Sequence, residues 1–204
     1  YVNNIALDTI GYLYITGKIT GTIDVDGNAG VQTLTSNGLE DIFIVKWDTA
    51  GNYIWKNSIG SVGVDIAEAI DVTKNGQEIF ITGSYENTVD FDPGAGVSPL
   101  SSASAKDAFV LSLNNLGDFV WVKGIAGSNN QIGLGIDIDN NNNLYVTGSF
   151  MGTTAFATLG AINITSNGEA DGFIAKYDHA GGNPLWVKRI GGADNDEIKC
   201  VKVD

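Results

Sequence analysis

The sequence repeats three times with a period of about 65 residues, and this repeat constrains the fold more than any other feature. The segment that begins at Asp41 is similar to the segments that begin at Asp107 and Asp171, at spacings of 66 and 64. Two more sets of residues recur at spacings of 66 and 65: Thr16, Thr82 and Thr147, and Trp55, Trp121 and Trp186. Because three independent markers share one period, the chain contains three copies of one structural unit.

Each copy has the pattern of four short strands. Apolar and polar residues alternate in the first strand, at residues 4–8, 69–73 and 135–139, and this period of two is typical of β-structure. Aromatic and β-branched residues dominate the second and third strands, and the fourth is centred on the repeated Trp. A tight turn of Asx and Gly residues joins the third strand to the fourth. One extra residue before Trp186 predicts a longer turn in the third copy.

Four antiparallel strands per repeat predict an all-β fold built from β-propeller blades. The blades are placed at about residues 1–65, 66–131 and 132–197, with residues 198–204 as the first strand of a further blade. Residues 86–106 are interpreted as a loop with a short extended piece. Tyr1 begins in mid-pattern, so we expect an excerpt or a mature product of a longer chain. Because one blade cannot bury both of its faces, we expect further blades from the same chain or from a partner copy.

The composition limits the partners. The chain carries 24 acidic and 11 basic residues, a formal net charge of −13, which disfavours nucleic acid and anionic membrane surfaces. No apolar run reaches about 18 residues, so no membrane insertion is expected. Cys200 is the single cysteine, which excludes an intrachain disulfide, and its place in a predicted inner strand indicates a buried residue.

Several markers recur together in a pattern that resembles the bacterial SBBP-type β-propeller repeat family. The pattern lies in residues 12–17, 41–60, 65–83, 107–127, 144–148 and 171–192. This resemblance implies an exported module of a secreted or cell-surface, adhesin-like bacterial protein, and it implies no shared catalytic residues. The second copy departs from the pattern at Ser112 and Gln131, so these positions do not define an essential site.

Oxygen-rich segments suggest a weak calcium site, the one cofactor expected. Alternating oxygen ligands suit hard cations and occur in the segment Asp137, Asp139, Asn141 and Asn143 and in the pairs Asp24/Asp26 and Asp90/Asp92. The segment lacks the glycine and the bidentate glutamate of a complete calcium loop, so a polar turn is the alternative interpretation. The third copy has Ala155 and Ala157 in place of the pair, which shows that the pair is dispensable for a blade.

No residue pattern indicates catalysis. His179 is the single histidine, and the sequence places no nucleophile and orienting acid beside it. The repeated Asp41, Asp107 and Asp171 are interpreted as residues that fix the entry to the third strand, with a ring of carboxylates as the alternative. The repeated Trp residues are interpreted as blade packing, with sugar stacking as the alternative.

The sequence therefore predicts a non-enzymatic extracellular scaffold or binding module, with a protein or glycan as its ligand. A glycan-binding, lectin-like propeller is the alternative, and a propeller enzyme with an axial active site is the third class. The sequence identifies no ligand-binding residues, because propellers serve many functions.

Overall fold

The computed structural model describes residues 1–102, 105–157 and 161–203, and in these ranges all regular secondary structure is β. The described residues include no helix that is long and apolar enough to cross a membrane. The predicted all-β class and the four-stranded antiparallel blades are confirmed.

The sixteen strands of the described ranges fall into three repeats. The first repeat contains β1 (Val2–Leu7), β2 (Leu13–Ile19), β3 (Thr22–Asp24), β4 (Thr33–Thr35), β5 (Asp41–Trp47) and β6 (Tyr53–Ile59). The second contains β7 (Ile66–Val72), β8 (Glu78–Tyr85), β9 (Thr88–Asp90), β10 (Pro99–Ser101), β11 (Asp107–Asn114) and β12 (Phe119–Gly127). The third contains β13 (Gln131–Ile138), β14 (Leu144–Phe156), β15 (Ile162–Tyr177) and β16 (Pro184–Ile190).

Each blade is a meander of four antiparallel strands. The strand orders are β1-β2-β5-β6, β7-β8-β11-β12 and β13-β14-β15-β16. The first strand of each blade packs beside the first strand of its neighbour. The first strands therefore form the inner wall, and the Trp-bearing fourth strands lie at the outer edge.

A small hairpin connects the second and third strands in every repeat. In the first two repeats the hairpin is separate, formed by β3 with β4 and by β9 with β10. In the third, β14 and β15 continue far enough to include it. The predicted short extended piece within residues 86–106 is β9, but its partner β10 was not predicted, because strands of three residues are too short to produce a periodic pattern. A cross-strand hydroxyl pair closes each hairpin, between Thr22 and Thr35, Thr88 and Ser101, and Thr153 and Thr165, at 2.8–2.9 Å.

The repeated Thr-Gly pair of the second strand has a steric cause. The first strand bulges opposite the glycine in each blade, and a Cβ at Gly83 would lie 1.9 Å from the carbonyl oxygen of Ile66. Only glycine leaves room for this approach. Beside it, the Thr82 hydroxyl donates to the carbonyl of Phe109 at 2.7 Å, which ties the second strand to the third.

Two apolar cores fill the junctions between blades 1 and 2 and between blades 2 and 3. The repeated Phe of the third strand is buried in all three blades, at Phe43, Phe109 and Phe173. Of the repeated Trp residues, Trp121 is buried, whereas Trp55 and Trp186 are half-buried. Blade packing is therefore the structural role of these aromatic residues.

The predicted strand Ile198–Asp204 is not a strand among the described residues, and Asp204 lies outside them. The chain approaches this segment by the same backbone contact that precedes β7 and β13. The Asp196 amide donates to the carbonyl of Ala170, as the Asp65 amide donates to the carbonyl of Glu40. A first strand takes its ladder from the second strand of its own blade, and the described ranges contain no such strand for this segment. For the same reason Cys200 is exposed, and the expectation that it is buried was wrong.

Candidate functional site

One repeat position on the inner wall of first strands holds different residues in different blades. This position is occupied by Ala6, Asp71, Asp137 and Lys202, at spacings of 65, 66 and 65. Because the first strands lie side by side, the side chains of successive blades meet there. The Asp71 and Asp137 carboxyl groups line one cavity, and the Lys202 Nζ lies 2.7 Å from Asp137 Oδ1.

The backbone holds both carboxyl groups in place. Asp71 Oδ1 accepts from the Val72 amide at 2.9 Å, and Asp137 Oδ2 accepts from the Val203 amide at 2.5 Å. Asp137 is only 4% exposed, while the Lys202 side chain is 83% exposed. Lys202 thus reaches in from solvent to a buried carboxylate.

A second carboxylate nearby disfavours the charged form of an acid and so raises its pKa. Burial raises the pKa of Asp71 to about 6, and the adjacent Asp137 charge adds to this rise, whereas Lys202 opposes it. At or below that pH the pair offers one hydroxyl donor and several acceptor lone pairs.

A cavity of about 390 Å³ opens beside this pair. Its rim includes Asp8 and Asp139, whose carboxylates are already engaged. Asp8 Oδ1 accepts from three successive amides at 2.8–3.0 Å, and Asp139 Oδ2 pairs with Lys176 at 3.0 Å. Four carboxyl groups thus line the cavity, and Asp71 and Asp137 are the two that come from the axial position of the first strands.

The structure separates the residues of the predicted calcium segment. Asp137 points to the acid pair, whereas Asp139 Oδ1 accepts from the amides of Asn141 and Asn143 at 2.9 Å in an Asx turn. Burial opposes ionisation of Asp139, but hydrogen bonds from Lys176 and Asn143 prevail and lower its pKa to about 2. This segment has the contacts of a polar turn.

The predicted acidic pairs close the turns of the outer hairpins. Asp24 Oδ1 accepts from the amides of Asp26 and Gln32 at 3.0 and 2.9 Å. Asp90 and Asp92 make the corresponding contacts in the second repeat. Within the described ranges no three His, Cys, Asp or Glu side chains are grouped to hold a metal ion. Calcium binding at these segments stays a prediction.

The repeated aspartates lie in separate blades and are fully buried. Asp41 accepts from the Asn37 amide at 2.8 Å, and Asp171 accepts from the Asn167 amide at 2.9 Å. Asp41 and Asp171 thus fix the loops that enter their third strands, as the first interpretation proposed, whereas Asp107 accepts from the Gly127 amide of the fourth strand at 3.3 Å. His179 makes an ion-pair contact with Glu78 at 3.2 Å, away from the axial cavity.

Sequence reasoning missed Asp71 and Lys202. The sequence signal for them was the variation at this repeat position. An inward first-strand position that holds Ala, Asp, Asp and Lys in successive repeats cannot serve apolar packing in every blade.

Comparison with known proteins supports the propeller class. A scan against protein-family models finds no match. The chain is 28% identical, over 181 residues, to an uncharacterized WD repeat-containing protein of Acanthamoeba polyphaga mimivirus, covering 81% of this chain and 13% of that protein. It is 22% identical, over 197 residues, to the regulatory protein FlaEY of Caulobacter vibrioides, covering 95% of this chain and 20% of that protein.

The chain thus spans no more than a fifth of either relative. The WD-repeat similarity and the four-stranded blades together indicate a propeller-type repeat protein. Neither relative's name specifies the SBBP-type family, and membership of that family stays a prediction.

Proposed function

We propose that this chain is a non-enzymatic propeller scaffold and binding module that belongs to a secreted or cell-surface bacterial protein and takes its ligand at the axial cavity. One observation carries the proposal: residues that recur in all three repeats pack the blades, whereas the axial position varies and faces a cavity. Variation at an inward position is what a binding site requires and what packing does not.

The ligand class follows from the chemistry of the acid pair. When Asp71 is protonated, the pair can both donate to and accept from hydroxyl groups. We therefore favour a polyhydroxylated ligand, such as a glycan of the cell surface or its surroundings. The adhesin-like role implied by the SBBP-type resemblance is consistent with such a ligand.

A glycan array with the purified chain tests the ligand class. We expect binding that weakens at least about tenfold in Asp137→Asn, because a lost hydrogen bond to a charged group changes the free energy of binding by about 1.5–3 kcal/mol. Asp118→Asn, in an exposed turn, is the matched control. Antibody labelling of intact cells tests the surface location, and a protein found only after lysis contradicts it.

A propeller enzyme with an axial site is the second candidate, because two carboxyl groups and a lysine converge at the cavity. Paired carboxylates can act as general acid and base. A hydrolase and lyase screen separates the two proposals: turnover that Asp71→Asn abolishes favours the enzyme, and binding without turnover favours the module.

A further inference from the structure

A second cavity, of about 380 Å³, lies at the junction of blades 2 and 3, away from the axis. Its described lining comes from β8, β10, β12 and the hairpin of β14 and β15, and includes none of the residues that line the axial cavity. We call it the outer cavity. Its volume falls in the range of roughly 300–1,000 Å³ that is typical of small-molecule sites.

Small residues at this junction leave the space open. The lining residue Gly124 holds the repeat position of Ser58 and Arg189, and the lining residue Ala155 holds that of Asp24 and Asp90. The strands that carry them, β12 and β14, pair directly with each other, whereas the sheet of blade 1 is separate from that of blade 2. The outer cavity is therefore a feature of this one junction and not of the repeat.

A tyrosine hydroxyl distinguishes the wall of this cavity from the packing of the other blades. Tyr85 lines the cavity and is only 1% exposed, and its repeat position is held by Ile19 and Phe150, which are also buried. The ring of Tyr85 is fixed by Phe91 and Phe109, at centroid distances of 5.4 and 6.5 Å. Since apolar side chains fill this position in both other blades, blade packing does not require the hydroxyl.

The Tyr85 hydroxyl has no hydrogen-bond partner among the described residues, whereas the other hydroxyl on the lining, that of Ser101, is paired with Thr88 at 2.8 Å. A Cβ built on Gly124 would lie 3.7 Å from both Tyr85 Oη and Leu100 Cδ1. The hydroxyl thus borders the open space above Gly124. Because a buried donor without a partner costs about 1–3 kcal/mol, a ligand that accepts its hydrogen bond gains affinity.

The surroundings of the hydroxyl define the charge of such a ligand. Burial raises the pKa of Tyr85, and the charge of Asp107 adds to the rise. The hydroxyl therefore keeps its proton at neutral pH and can donate it in a hydrogen bond. The same negative charge disfavours an anion in the cavity.

We propose that the outer cavity binds a small, neutral, predominantly apolar ligand whose carbonyl oxygen accepts the hydrogen bond of Tyr85. The alanine and leucine side chains of the lining contact the apolar body, and the hydroxyl orients the single polar group. This site lies outside the axial cavity and does not depend on the function proposed there.

Fluorescence titration with prodan, a neutral naphthyl ketone whose emission shifts to the blue in apolar surroundings, tests the proposal. We expect saturable binding with a blue shift. Tyr85→Phe keeps the ring and removes the hydroxyl, so the dissociation constant should rise about two- to tenfold, the value of a neutral hydrogen bond. Tyr53→Phe, in the half-buried fourth strand of blade 1, is the matched control and should leave the constant unchanged.

A variant that fills the space locates the probe. The side chain of Gly124→Val would enter the cavity between Tyr85 and Leu100, and we expect it to raise the dissociation constant about tenfold or more through steric exclusion. Ser58→Val makes the corresponding change in blade 1, outside the cavity, and should have no effect. Valine suits a strand, and circular dichroism checks that each variant is folded.

A second probe isolates the hydrogen bond. Dimethylaminonaphthalene lacks the ketone of prodan, so it should bind more weakly and should not distinguish the wild type from Tyr85→Phe. Absence of saturable prodan binding overturns the proposal, as does binding that neither Tyr85→Phe nor Gly124→Val weakens. Binding that Gly124→Val blocks but Tyr85→Phe leaves unchanged overturns the role given to the hydroxyl. None of these results bears on glycan binding at the axial cavity, which shares no described lining residue with this site.

Discussion

Replacement of Trp121 by alanine tests whether the repeated Trp is a packing residue. Trp121 is 8% exposed, lies 6.0 Å from the ring of Phe80, and donates to the carbonyl of His179. Removing a buried indole destabilises a core by about 3–5 kcal/mol, partly through the cavity that remains. Loss of the hydrogen bond adds about 1 kcal/mol. Equilibrium urea unfolding followed by circular dichroism measures the change.

Trp186→Ala is the control for this experiment. Trp186 holds the same repeat position, but it is half-buried and its indole has no interblade acceptor among the described residues. We expect a loss of less than about 2 kcal/mol. If Trp121→Ala costs less than about 1 kcal/mol, or no more than Trp186→Ala, the packing role assigned to Trp121 is refuted.

Three more predictions concern the glycines, the acid pair and calcium. Gly83→Ala should abolish folding, because its Cβ would lie 1.9 Å from the Ile66 carbonyl oxygen. In the control Gly27→Ala the Cβ would lie 4.0 Å from its nearest neighbour, so this variant should express as a folded protein. Soluble yield and circular dichroism compare the two variants. Asp71 has a raised pKa in the folded state, so its contribution to stability should fall by at most about 3 kcal/mol as pH rises from about 4 to above 6. Urea unfolding across that range should show a stability difference between the wild type and Asp71→Asn that shrinks as pH rises, since the other acids with raised pKa values titrate in both proteins. If the weak calcium site exists, millimolar calcium should raise the melting temperature relative to chelator at constant ionic strength, and Asp139→Asn should remove the rise; an equal rise with magnesium contradicts it.

The repeat made the blades predictable, because each marker has one physical cause in every copy. The Thr-Gly pair recurs where the first strand approaches closely, and the Phe of the third strand recurs where the core needs volume. The extra residue before Trp186 also predicted a longer turn correctly, since Gly182 rather than Gly181 donates to the Asp178 carbonyl. The outer hairpins could not be predicted, because strands of three residues are shorter than the window in which a period can be recognised.

The axial site could not be predicted from the recurring residues. Those residues identify only positions that are the same in every repeat, whereas the axial position differs between repeats. Asp71 and Asp137 are 66 residues apart, and neither lies in a segment with the sequence of a known site. Their contact depends on the packing of two first strands side by side. Reading Asp137 with Asp139 as one calcium segment overlooked that β13 ends at Ile138, so that Asp137 belongs to the strand and Asp139 to the turn that follows it.

The three repeats differ in how they compensate for the charge of the buried aspartates at the blade junctions. In the first repeat, burial raises the pKa values of both Asp41 and Asp65, and the charge of Asp41 raises that of Asp65 further. The second repeat replaces the second acid by Gln131, which removes one charge. The third places Arg189 at 2.8 Å from the Asp171 carboxylate. Because a buried carboxylate is costly unless it is neutralised, substitution and ion pairing relieve the later junctions, while the first junction keeps both acids and depends on their hydrogen bonds to backbone amides.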